Sequence, residues 1–223
     1  MMAWQHTNPA DGCLKCPALV KSRQNVVWSK GQTDAPIMVI AEAPGQTEDI
    51  KQQPFVGRSG AELDRLFLAA GLDPKLFHYA NTIMCRPPDN RDPNPDELLN
   101  CAPWLTEHIK LINPKAIIHF GAYSIASAFD RHLVGEARGL YWRKSCDNCG
   151  SLETRHAHRR SFKGEWVPDS FGVCKRNEMV RRRLHLATYH PAAIFRNPQY
   201  RDMIISDLIR FEKEFTHEFG KVK

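Results

Sequence analysis

Three polar residues far apart in the chain, Glu42, Asn81 and His190, each lie at or near the end of a short apolar run. A carboxylate can orient water or take a proton, an amide offers one donor and one acceptor to a polar ring edge, and a neutral imidazole can donate without losing its proton. Singly, each has an ordinary explanation: an exposed loop acid, a turn-forming asparagine, a satisfied histidine. What points to a site is the position they share at strand ends. The seven cysteines stand at 13, 16, 85, 101, 146, 149 and 174, an odd number with no secretion signal, so a disulfide framework is not expected. Cys13 and Cys16 form a C-x2-C pair, and Cys85 and Cys101 flank a proline-rich loop that can fold back to meet it. Four thiolates hold either zinc or a [4Fe–4S] cluster, and spacing alone does not choose.

The elements that must position these groups follow from the apolar pattern. "PIMVI" (36–40) reads as a buried strand, followed by the loop "AEAPGQTEDIKQQPFVGRSG" (41–60). A helix comes next, with Ser59 as N-cap, Leu63, Leu66 and Phe67 on one face, and Gly71 as the stop. Further strands are read at 76–84, 115–121, 138–143 and 184–191, and helices at 95–112, after 121, and in "PQYRDMIISDLIRFEKEF". Strands separated by helices imply an α/β fold, a mainly parallel sheet covered on both faces. Ligands of such sheets sit beyond the carboxyl ends of the strands. The 41–60 loop lacks the glycine and lysine spacing of a phosphate-cradling loop, so it reads as a pocket wall.

With 223 residues and 42% hydrophobic content, the chain is expected to form one core. No signal peptide or membrane-length apolar run is seen, which predicts a soluble, intracellular (cytoplasmic, nucleoid-associated) protein, expected to be a monomer. The net charge of +6 is concentrated in residues 144–183, which hold ten Lys or Arg against five Asp or Glu. That suits a protein that meets phosphate backbones, against the plainer reading of a solvated loop. The segment is read as an insertion between the last two strands. Within it, Cys146, Cys149, Cys174 and either His156 or His158 could complete a Cys3His zinc site; the alternative is ordinary free thiols.

Three segments, "AEAPGQTEDIKQQPFVGRSG", "NTIMCRPPDNRDPNPDELLNC" and "ATYHPAAIFRNP", together with the first four cysteines, resemble in order and spacing the iron–sulfur uracil-DNA glycosylases of family 4. The resemblance spans about residues 13–143 and 184–212. It implies a three-layer α/β/α fold with a central, mainly parallel four-stranded sheet, and hydrolysis of the N-glycosidic bond of uracil in DNA of one or two strands. It also implies a [4Fe–4S] cluster on Cys13, Cys16, Cys85 and Cys101.

By the same resemblance, a flipped uracil stacks on Phe55, Asn81 reads its edge, and His190 donates to its carbonyl as the anion forms. Gly45 and Gly57 are expected to leave room for close approach of the ligand. Better-studied relatives read "GQDPY" in the first segment, with a water-orienting aspartate where Ala43 stands here. Glu42, Glu48 and Asn90, in that order, are the candidates to position water or substrate. Ile194 matches the family's wedge position and Phe195 is its bulky neighbour; the plainer reading packs both against the last helix. Arg58 and Arg196 are placed to contact DNA. Relatives often carry serine where Ala192 stands, which weakens phosphate anchoring more than chemistry. A same-fold enzyme for another modified base or DNA adduct, and a binding module without turnover, are the alternatives.

Overall fold

The structure, a computed structural model, describes residues 10–129, 134–145, 152–156, 167–168 and 181–221. Among the described residues eight strands form one sheet: β1 (Lys30–Gly31), β2 (Ile37–Ala41), β3 (Phe77–Asn81), β4 (Ala116–Phe120), β5 (Gly139–Ser145), β6 (Leu152–His156), β7 (Val167–Pro168) and β8 (Arg181–Thr188). Their spatial order is β1-β3-β2-β4-β8-β5-β6-β7. The four central strands, β3-β2-β4-β8, are parallel to one another, as expected. β1 on one edge and β5, β6 and β7 on the other pair antiparallel and enlarge the sheet beyond the four strands predicted.

The helices are α1 (Pro17–Ser22), α2 (Gln46–Lys51), α3 (Arg58–Ala69), α4 (Pro95–Ile112), α5 (Ala122–Phe129), α6 (Val134–Ala137) and α7 (Tyr200–Phe219). Alternation along β2 divides the core. Ile37 and Val39 face α3 and α7, where they join Leu63, Phe67, Leu208 and Phe211. Met38 and Ile40 face Leu105 of α4. α5 and α6 cover the β8–β5 part of that sheet, through Ile125, Ala137, Tyr141 and Ala187. The result is the three-layer arrangement expected, with the parallel strands buried on both sides. No helix among the described residues is long and apolar enough to cross a membrane.

Local chemistry sets the helix starts. Asn94 and Glu97 form a reciprocal capping box before α4, with Pro95 in the first turn. α3 begins two residues earlier than the Ser59 cap predicts, with Gly57 as N-cap. The reason lies in the preceding loop, where the Glu48 carboxylate takes the backbone N–H groups of Val56 and Gly57 and fixes the chain's entry into the helix.

The insertion joins the sheet in its described parts. β5 and β8 are antiparallel neighbours from Gly139↔Ala187 to Ser145↔Arg181, and β6 and β7 add to that edge. Because β8 runs towards the rim that carries His190, Arg181, Arg182 and Arg183 stand at the opposite end of the sheet, about 25 Å away at ~3.3 Å per residue. Cys146, Cys149, Cys174 and His158, proposed as zinc ligands, lie outside the described residues, and of His156 only the backbone in β6 is described.

Candidate active site

The carboxyl ends of β2, β3 and β8 deliver Glu42, Asn81 and His190 to one rim. Asn81 is the register partner of Ala41, so it stands one strand from Glu42, and it is 3% exposed. Thr188 is paired with Phe120 at the end of β4, and the Gly121 N–H donates to the Thr188 carbonyl at 3.0 Å, which closes the rim between β4 and β8. Thr188 is held from behind by Asp207, a buried carboxylate that also takes Arg138 and Arg210.

Glu42 sits at the N-terminus of α5, where Tyr123 N–H donates to its Oε1 at 3.3 Å. Gly121 is required beside it: φ is +88° there, and a Cβ would collide with the Glu42 carboxylate. Burial pushes the Glu42 carboxyl above its ordinary range; the backbone amides of Tyr123 and Ala122 and the charge of Arg196 pull it down, while Asp92 adds to the rise. Glu42's own carbonyl is pinned by the Thr82 hydroxyl at 2.6 Å and the Ile83 N–H at 3.1 Å.

His190 caps the short 3-10 turn Pro191–Phe195. Its Nδ1 accepts from Ala192 N–H at 3.1 Å, and since a backbone amide can only donate, the ring proton resides on Nε2. Burial, with Arg196 nearby, lowers the imidazole pKa to about 4. The ring is therefore neutral at ordinary pH and keeps one N–H free of that bond. Arg196 acts electrostatically on both Glu42 and His190, which ties the two halves of the rim together.

Phe55 adopts φ +56°, a left-handed geometry that costs a non-glycine residue roughly 1–2 kcal/mol. Its ring tilts on Tyr79 with centroids 5.4 Å apart, two residues before Asn81 on the same face of β3. Phe55 and His190 are half-buried, while Asn81 is closed off. Two concavities lie away from this rim, one of about 170 Å³ beside Arg138 and Asp207 and one of about 370 Å³ between Cys16 and the start of α4.

Other expected residues occupy different posts. Glu48 is a brace: Oε1 accepts from Val56 N–H at 3.1 Å and Gly57 N–H at 2.7 Å. Gly45 and Gly57 make room for this carboxylate, since a Cβ on either would come within 2.8 Å of its oxygens. Asn90 is exposed, at φ +53°, and accepts from Arg86 Nε at 2.8 Å. Ala43 is half-buried against the apolar cluster around Ile83 and Met84. Ile194 is 5% exposed in the main core, as the packing alternative holds, so it is not free to wedge. Phe195 is 39% exposed, and the Arg58 guanidinium lies 3.9 Å from its ring centroid. This contact joins the end of the Phe55 loop to the His190 turn.

The four cysteines expected to act together share one neighbourhood. Burial raises the Cys101 thiol to about 12, and Cys85, Cys16 and Cys13 add to the rise; Cys85 is raised by burial and feels Cys13 and Cys16 in turn. Arg23 donates from Nη1 to Cys85 Sγ at 3.0 Å and from Nη2 to the Cys13 carbonyl at 2.7 Å, and Asn100 donates to Cys16 Sγ at 3.6 Å. As placed among the described residues, no three His, Cys, Asp or Glu side chains form a group that could hold a metal ion. The donor set nevertheless fits a cationic centre in its chemistry: four thiols in one neighbourhood, two of them held protonated by burial and by the other sulfurs, with donors already aimed at two sulfurs. The buried Trp104 Nε1–H, three residues after Cys101 and packed in the same cluster, has no partner.

Sequence reasoning missed Lys30, Arg23 and Asp49. Asp49 is buried and accepts from the backbone N–H groups of Gln24 and Asn25, which fastens the cysteine-bearing N-terminal segment to the 41–60 loop. A charged residue in a short, aperiodic stretch carries no pattern that would reveal such a post.

The family model described as the uracil DNA glycosylase superfamily matches residues 28–209. The type-4 uracil-DNA glycosylase of Saccharolobus solfataricus is 35% identical over 201 residues, 87% of this chain and 78% of the relative. Those of Pyrobaculum aerophilum and Archaeoglobus fulgidus are each 31% identical, over 89% and 87% of this chain and 87% and 84% of their own lengths. With a match that runs from the strand before the first loop to the last helix, the chain belongs to the uracil DNA glycosylase superfamily, among its type-4 members.

Proposed function

We propose that this protein hydrolyses the N-glycosidic bond of uracil in DNA, releasing free uracil and leaving an abasic site. The observation that best supports this is the His190 imidazole, neutral with its proton on Nε2, on the same rim as Asn81, Phe55 and Glu42. A uracil swung out of the stack lies against Phe55, and Asn81 pairs with its polar edge. As the C1′–N1 bond breaks, its electron pair leaves with the base, and His190 Nε2–H donates to the carbonyl on which charge accumulates. Water then bonds to C1′, and Glu42 orients it and takes its proton. Glu48 and Asn90 stand outside this step, the first as the brace of the Phe55 loop. Cys13, Cys16, Cys85 and Cys101 would hold a [4Fe–4S] cluster, which supplies a cross-brace between the N-terminal segment and the loop before α4.

Incubation with a uracil-containing oligonucleotide followed by alkali tests the reaction, with iron measured on the same anaerobic preparation. Strand breakage at uracil supports it. A shifted covalent band points instead to an adduct-forming enzyme, and retardation alone to a binding module.

Two expectations follow. The raised Glu42 carboxyl must ionise before it can serve, so kcat should fall as pH drops through a value above the ordinary carboxylate range; because His190 titrates near 4, no limb should appear near pH 6.5. Glu42→Gln should remove that limb along with most of the rate. Phe195 is the exposed apolar group beside the cleft, so Phe195→Ala should reduce activity on duplex DNA about tenfold more than on single strands. Equal losses on both substrates would remove the wedge role.

A further inference from the structure

We propose that Lys30 is a positioning residue for base recognition, which with Glu48 clamps Phe55 in its left-handed geometry before substrate arrives. This rests on the reading of Phe55 as the stacking face for the flipped base. Lys30 Nζ donates to the Phe55 carbonyl at 2.9 Å and lies 4.9 Å from the centroid of Tyr79, the ring on which Phe55 leans. One residue further along the loop, Glu48 holds the next two amides. Gly60 completes the seat from the α3 side, since a Cβ there would collide with the Phe55 backbone. Three separate elements thus hold one residue whose φ most side chains avoid.

The edge strand β1 is built to deliver this lysine. It is two residues long and pairs Lys30 with Tyr79 and Gly31 with His78. Gly31, at φ +108°, can approach β3 so closely only because it lacks a Cβ, which would strike the Phe77 carbonyl. Burial lowers the Lys30 pKa, against the pull of Asp64 and Glu48. A half-buried lysine, with its ammonium on a carbonyl and an aromatic face, loses hydration that these contacts must replace.

The test compares full-length Lys30→Met, Lys30→Arg, Phe55→Ala and the Lys30→Met/Phe55→Ala double variant. Each is assayed on a single-stranded uracil oligonucleotide, with amide exchange of residues 53–57 and thermal midpoints measured alongside. Lys30→Met should raise KM on the order of tenfold with kcat changed less than about threefold, and Lys30→Arg should recover most of the loss. If Lys30 acts through Phe55, the double variant should match Phe55→Ala within about twofold. Exchange at residues 53–57 should quicken in Lys30→Met while the midpoint stays near wild type. Multiplicative losses in the double variant, unchanged kinetics in Lys30→Met, or unchanged exchange would each overturn the clamp. A wild-type protein that releases no uracil defeats the proposed function instead, and the exchange measurement still decides the clamp.

Discussion

Replacement of His190 by alanine is expected to lower kcat for uracil release by about 10²–10³, the loss typical when one preorganised donor to a developing oxyanion is removed. KM should change little, because Nε2–H meets an uncharged carbonyl in the ground state and an anion only as the bond breaks. Its orientation is imposed by Ala192 N–H on Nδ1, and its neutrality by burial. The fold should survive, since the half-buried ring stands on a rim turn outside the main core. Rates on an abasic-prone control substrate with a better leaving group should recover in part, as less charge then needs stabilising. A His190→Ala enzyme at wild-type rate would remove the proposed mechanism.

The second large effect is expected at Asn81. Truncation to alanine leaves the edge of an enclosed uracil without its donor and acceptor, at about 1–3 kcal/mol for each unpaired group, so kcat/KM should fall on the order of 10²–10³. The loss should be shared between KM and kcat, in contrast to His190, because the amide meets the base both before and during bond cleavage. Steady-state kinetics on one oligonucleotide distinguish the two patterns. Since Asn81 is a buried strand residue paired to Ala41, a thermal midpoint should accompany the assay to separate lost recognition from lost packing.

Much of the scaffold was legible because its cause is local. The runs Ile37–Ala41 and Ala116–Ile118 are apolar on both faces, as strands buried from both sides must be, and α7 repeats its apolar residues at helical spacing. β1 was invisible for the opposite reason: two residues have no period, and Lys30–Gly31 is neither apolar nor β-branched. The positions of Asn81 and His190 were legible, because each follows from where an apolar run ends. The direction in which a side chain turns was not. Glu48 reads as a loop acid, but it points inward to two amides; Ile194 and Phe195 are adjacent apolar residues, and only the 3-10 turn decides that the first is core and the second is exposed.

The register of the outer strands carries a consequence for engineering. Ser145 and Arg181, where the chain departs for and comes back from residues 146–180, face each other as paired positions at the end of the sheet remote from the cleft. A short hairpin spliced between them, or a foreign domain with neighbouring termini, would meet the same two anchor points, making this a port for fusions at the far end of the sheet from Asn81 and His190.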